Sequence, residues 1–167
     1  MRTETMSIIK VSISDAKVAN HPHRLRTTGL GSCVGIVLYD NQRKMAGMAH
    51  IMLPESTMAR RGDLNLHKYA DTAIEYVYEE LITKGMKKQA MKAMIAGGAQ
   101  MFQSKSANEM MRIGPRNVEA VKKELSSRGI PLVAEDTGGT NGRTIEFDIG
   151  SSELSVKTVA KGAKTLR

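Results

Sequence analysis

Apolar and polar positions change period several times along the chain, and each change marks an expected element. Ser7 to Ser14 alternates in part and is rich in Ile and Val, which predicts a strand, and the polar group Asn20-His21-Pro22-His23 then breaks the pattern. Cys33 to Tyr39 is a short β-branched run and Met45 to Leu53 a second apolar run. Asp40-Asn41-Gln42-Arg43 lies between them with turn chemistry, so the two runs are expected to pair as a β-hairpin. From Asp63 onward, Leu66, Ala70, Ala73, Ile74, Val77 and Leu81 recur at helical spacing; Asp63 or Asn65 could cap the start, and Gly85 sits where the helix should stop.

Ala90 to Ala96 reads as a buried strand ending at Gly97-Gly98. Asn117 to Arg128 reads as a second helix, with Val118, Val121 and Leu125 inward and Gly129 after it. Ile130 to Glu135 suggests another strand, residues 136–142 a loop, and Arg143 to Ile149 and Leu154 to Val159 two strands about Gly150-Ser151-Ser152. This order of elements predicts one layered α/β domain, with a mixed β-sheet and flanking helices, in preference to a doubly wound parallel sheet. Residues 1–160 are expected to form that domain, and 161–167 a basic tail with little to bury that frays.

Composition narrows the function classes. No apolar run reaches the ~18 residues of a transmembrane helix, and the polar first residues, Met-Arg-Thr-Glu-Thr-Met, leave no room for the apolar core of a secretory signal. A cytoplasmic protein without membrane insertion is therefore expected. The single cysteine cannot close an internal disulfide, and no set of Cys and His at structural zinc spacing is present, so neither a metal nor a cofactor is expected. A net charge of +8 suits nucleic acid, an acidic membrane face or an acidic protein. The basic residues are scattered, aromatics make up 4% and there is no Trp, which argues against nucleic acid and for an acidic protein partner or a solvated surface.

The chemistry concentrates around Cys33. A turn symmetric about Asn41 and Gln42, of two or four residues, would place Asp40 opposite Arg43 and Cys33 opposite His50. Directly opposed residues have Cβ atoms only ~4.5–5.5 Å apart, close enough for a thiolate–imidazolium pair. A slip of one residue would turn one of the two side chains to the other face. The amides of Ser32 and Cys33, after Gly29 and Gly31, could aim at an oxyanion, and the hydroxyl of Thr27 or Thr28 could orient the imidazole. Against this stands the plain reading of a lone Cys as a small buried hydrophobe and of His50 as a core histidine. His21, His23 and His67 read as surface or packing residues. The glycines from Gly29 to Gly35 miss the dinucleotide-binding spacing, and the twelve methionines read as core filling.

Several ordered blocks resemble one family. They are Thr27-Thr-Gly-Leu-Gly-Ser-Cys-Val-Gly-Ile-Val-Leu-Tyr-Asp40, Gly47-Met-Ala-His-Ile-Met-Leu-Pro-Glu55, Asn65-Leu-His-Lys-Tyr-Ala-Asp71, Gly97-Gly-Ala-Gln-Met-Phe102, Ile113-Gly-Pro-Arg-Asn117 and Glu135-Asp-Thr-Gly-Gly-Thr-Asn-Gly-Arg143. Together they are similar to the bacterial CheD chemoreceptor glutamine deamidases. The resemblance implies a layered α/β fold like the deamidating cytotoxic necrotizing factor toxins around the site. It also implies conversion of glutamines on methyl-accepting chemotaxis receptors to glutamate, through a cysteine thioester, with receptor methyl esters as a side substrate. Carried over, Cys33 is the nucleophile, His50 the general base and acid, and Thr27 the orienting residue, with Thr28, Gly31 and Ser32 near the site. Implied partners are the cytoplasmic receptor helices, which would recruit the protein to receptor arrays, and a CheC-type phosphatase that the protein stimulates. A mainly non-catalytic adaptor binding the same two partners is the alternative. Phe102, one of two Phe in the chain, is the residue expected to meet a partner, with an ordinary core role open beside it. A papain-like peptidase lacks its Asn or Asp partner and the sequence local to that family's cysteine.

Overall fold

The chain forms strands β1 (Ile8–Lys10), β2 (Asp15–Asn20), β3 (Arg24–Leu30), β4 (Val34–Asp40) and β5 (Met45–Ile51), then helix α1 (Ala70–Thr83) and strand β6 (Lys92–Gly97). Helix α2 (Ile113–Ser127) and strands β7 (Leu132–Thr137), β8 (Arg143–Asp148), β9 (Glu153–Thr158) and β10 (Gly162–Leu166) complete it. This is a computed structural model, and it describes residues 5–60, 62, 64–101 and 112–167. The strands make two sheets, ordered β1-β3-β8-β9-β10 and β2-β5-β4-β6-β7. Each is mixed, because β1 runs parallel to β3 and β6 parallel to β7 while every other pairing is antiparallel. The expected mixed α/β domain is thus observed, with two stacked sheets where one was expected.

Both helices cover one face of the second sheet, and the first sheet covers the other. Ile74, Val77, Leu81, Val121 and Leu125 meet Ile36, Ile51 and Ile95 in the helix layer, while Leu25, Phe147 and Val156 meet Val37, Met48 and Met94 between the sheets. Every residue of β4 and β5 is consequently buried. A strand covered on both faces reads as a continuous apolar run, and these two do.

Several boundaries differ from the sequence reading. The first expected strand is only β1; the chain then turns through Ser14 at φ 59° and enters β2, and neither β2 nor β3 was anticipated. Helix α1 begins at Ala70, with Tyr69 as its cap, and leaves Leu66 exposed. Asp63 lies outside the described residues, and Asn65 instead accepts the His67 amide. Helix α2 starts a turn earlier than Asn117, so that residue is inside the helix. Gly85 and Gly129 end the two helices as expected, each followed by an amide bonded to a carbonyl of the last turn, Met86 to Leu81 and Ile130 to Leu125.

The segment expected to fray is β10. Its backbone pairs with β9 from Gly162↔Thr158 to Leu166↔Leu154, Leu166 packs on the inter-sheet core, and Lys164 and Arg167 pair with Asp136 and Glu153. Backbone pairing does not need apolar side chains, so composition alone did not reveal it.

Candidate active site

The β4–β5 hairpin forms, but its register differs from the expected one. Asp40 pairs with Met45 across a four-residue loop, and Gly35, not Cys33, stands opposite His50. The loop is displaced because the Asp40 carboxylate accepts the amides of Gln42 and Arg43 and Lys44 adopts φ 54°. The displacement moves the ladder by two residues, and side chains repeat every two. Cys33, two residues before Gly35, therefore stays on the face of the sheet that bears His50, as a diagonal neighbour at ~7–8 Å between backbones. Cys33 packs on the inter-sheet core, which confirms that face.

On the same face, β3 of the opposite sheet delivers Thr27. Its Oγ1 lies 2.6 Å from His50 Nδ1 and 2.6 Å from the Val11 carbonyl oxygen. A carbonyl only accepts, so the single Thr27 proton goes to Val11. The lone pairs of Oγ1 then require a proton on His50 Nδ1, and this tautomer leaves Nε2 bare. His50 is fully buried, and among the described residues Nε2 has no hydrogen-bond partner. Thr28, next along the strand, is exposed and takes no part in the contact. Asp15 is the register neighbour of His50 on β2, but its oxygens accept the Ser12 and Ala16 amides, so Thr27 alone serves Nδ1.

Burial sets the protonation of both groups. It lowers the His50 pKa to about 4 and raises that of the Cys33 thiol, an effect partly offset by the thiol's own backbone amide. At neutral pH the resting pair is a neutral thiol and a neutral imidazole, where the sequence suggested a thiolate and an imidazolium. Such a pair works by transferring the proton as the sulfur attacks.

The backbone before β4 is held at three successive carbonyls. Gly31 O accepts from Ala99 N at 2.8 Å, Ser32 O from Asn117 Nδ2 at 2.9 Å, and Cys33 O from Gly98 N at 2.8 Å. Gly97, at φ 113°, leaves the room this approach needs, since a Cβ there would collide with the Cys33 carbonyl. The next loop is tied on behind: Gly138 N donates to Gly97 O, Gln100 N to Gly139 O, and buried Arg143 holds Gly138 O and Asp136. A cleft of about 610 Å³, lined by residues 10–13 and 26–29, opens beside Thr27. Exposed Ile13, Met52 and Met101 surround the site, Met101 lying against Gly31.

Of the other residues singled out, His67 packs against Tyr76 with the rings tilted at 55°, and His23 accepts the Ser7 amide, both structural roles. Phe102 lies outside the described residues. Among the described residues no three His, Cys, Asp or Glu side chains gather as a metal-binding group, and no helix is long and apolar enough to cross a membrane. The sequence reading missed the part of Asn117 in holding the Cys33 loop. Its signal was there: Asn117, Val121 and Leu125 share one helical stripe, and a polar residue on such a stripe needs a partner.

Comparison with known proteins identifies the family. The family model described as CheD chemotactic sensory transduction matches residues 52–158. A Bacillus subtilis protein named chemoreceptor glutamine deamidase CheD is 51% identical over 99% of this chain and 100% of its own length. Proteins of the same name from Bacillus licheniformis and Halalkalibacterium halodurans are 53% and 54% identical, over 96% and 95% of this chain and 95% and 98% of their own lengths. The family model begins just beyond His50, but these three alignments extend over nearly the whole chain, and on their strength the chain belongs to the CheD family.

Proposed function

We propose that the protein is a glutamine deamidase of chemoreceptors, working through a cysteine thioester with Cys33, His50 and Thr27 as its triad. The observation that carries this reading is the buried Thr27–His50 contact, which leaves a bare, unpartnered Nε2 on the face that bears the only thiol of the chain. As Cys33 Sγ attacks the carboxamide carbon, His50 Nε2 takes the thiol proton, and the oxyanion is received by the Ser32 and Cys33 amides. Collapse transfers that proton to the departing nitrogen, ammonia leaves, and a thioester remains. His50 then takes a proton from water, whose oxygen attacks the thioester. Collapse of the second intermediate returns the proton to sulfur and releases glutamate.

A glutamyl methyl ester would reach the same thioester by losing methanol, so ester hydrolysis belongs to the same proposal. The net charge of +8 suits the acidic helices of receptors, and the exposed Ile13, Met52 and Met101 offer them apolar contact. Such a protein would work in the cytoplasm at receptor arrays, and a CheC-type phosphatase is its second proposed partner.

The test is incubation of wild type and Cys33→Ala with a receptor cytoplasmic fragment, following ammonia and the Gln-to-Glu mass change by peptide mass spectrometry. Conversion by wild type alone is expected. Conversion by the Cys33→Ala variant would refute the mechanism. No conversion by either, with receptor binding intact, would favour the adaptor role.

A further inference from the structure

We infer that Asn117 is a positioning residue of this site, setting the orientation of the peptide that carries the thiol; the inference rests on the function proposed above. Asn117 is fully buried on the inner stripe of α2. Its Nδ2 donates to two carbonyls, Ser32 O and Met52 O, both at 2.9 Å, while Oδ1 is buried without a partner among the described residues. A buried carbonyl left unpaired is destabilising, so an amide is a poor choice merely to pack α2 on the sheet. Val121 and Leu125 do that work on the same stripe.

The two acceptors define what the amide does. Ser32 O and Cys33 N belong to one planar trans peptide, so fixing the oxygen fixes the opposite direction for the Cys33 N–H. The flanking Gly31 and Cys33 carbonyls are fixed by backbone amides, but the middle one depends on this side chain. Met52 would be the next register partner of Cys33 beyond Val34↔Ile51, and it follows His50 by two residues. One nitrogen therefore ties the nucleophile loop to the strand end that bears the base. Without it, the Ser32–Cys33 peptide loses the one contact that fixes its own direction between two anchored neighbours, and the thiol and its amide lose their shared aim. Misplacement of a reacting group by ~1 Å costs about 100-fold in rate. Asn117 is buried beneath the site, so substrate affinity is not affected.

The experiment compares wild type, Asn117→Ala and Asn117→Asp, each at a temperature where circular dichroism shows it fully folded. Two rates are measured: deamidation of the receptor fragment, as kcat and KM, and alkylation of Cys33 by iodoacetamide across pH. For Asn117→Ala, kcat should fall about 100-fold with KM unchanged, and the pH profile of alkylation should differ from that of wild type. In Asn117→Asp, the introduced carboxyl donates one hydrogen bond when protonated and none when ionised, and burial raises its pKa. Its kcat should therefore fall as pH rises through a range where wild type is flat, before the dichroism changes.

A folded Asn117→Ala with wild-type kcat, or Asn117→Asp with the wild-type pH profile, would overturn the inference. If Asn117→Ala does not fold, the Asn117→Asp profile decides. If wild type itself deamidates nothing, the proposed function fails separately, and the alkylation profiles still decide: identical profiles in wild type and variants would refute the positioning role.

Discussion

Replacing Thr27 by valine isolates the hydroxyl that dictates the His50 tautomer. Valine keeps the shape and removes the oxygen that lies 2.6 Å from both Nδ1 and the Val11 carbonyl. In the variant, the tautomer with a bare Nε2 has a buried Nδ1–H with no acceptor, which costs about 1–3 kcal/mol. The other tautomer is equally unpaired, because Nε2 has no partner among the described residues either, so nothing holds the proton on Nδ1; that tautomer presents a proton to the thiol and cannot act as base. Losing the hydroxyl therefore removes about 1–3 kcal/mol that holds the ring and its proton in place, so kcat falls by up to roughly 150-fold with KM unchanged, since one tenfold step is about 1.4 kcal/mol. The orphaned Val11 carbonyl lowers the melting temperature as well. Ammonia release gives kcat, and ¹⁵N NMR of the histidine ring reads the tautomer directly. Thr27→Ser, which keeps the oxygen, should recover most of both signals, and Thr28→Val should leave them unchanged. Wild-type kcat in Thr27→Val, or an unchanged Nδ1–H tautomer, would refute the reasoning.

Three further outcomes are expected. The unfolded chain protonates histidine near pH 6.5 and the folded chain protonates His50 near pH 4, so the unfolded state binds more protons between these values and stability is lost as pH falls through them, by roughly 3 kcal/mol. Chemical denaturation from pH 7 to 4 should show that slope in wild type and a shallower one in His50→Asn. Gly97→Ala would set a Cβ against the Cys33 carbonyl at a φ that favours glycine; it should cost about 1–3 kcal/mol in a thermal melt and lose most activity through the displaced loop. Deleting residues 162–167 should lower the melting temperature, because it uncovers β9 and removes Leu166 from the inter-sheet core, whereas loss of a frayed tail would leave the melt unchanged.

What the sequence made legible follows from which faces are covered. α1 and α2 show a helical stripe because only one side of each is buried, and their glycine stops are local signals; both were readable. β2 and β3 are short, polar on one side and broken by turns at Ser14 and residues 21–23, so no window of alternation is long enough to declare them. Two sheets could not be distinguished from one, because the split depends on long-range pairings such as β3 with β8. In hindsight β3 carries one usable clue. Leu25 and Thr27 point inward while Arg24, Arg26 and Thr28 do not, and that alternation separates Thr27 from Thr28.

That Cys33 and His50 share a face was legible despite an incorrect register, and the reason is parity. β4 and β5 are buried on both faces, so no apolar alternation fixes which residues face each other, and the register had to be read from the turn. The loop starts at Asn41 and ends at Lys44, and no local rule foretells a lysine at positive φ. Moving the centre of a hairpin by one residue changes every pairing by two, which keeps each side chain on its face. Any hairpin with a loop of even length between these runs therefore sets Cys33 and His50 on one side, and any odd loop separates them. The inference that needed only the face succeeded, and the one that needed direct opposition, an immediate ion pair, did not. What fills the difference is a second layer: Thr27 comes from the other sheet to fix the imidazole, and Asn117 comes from the helix to fix the loop of the thiol. Neither contact runs along the hairpin, so no reading confined to the hairpin could have supplied them.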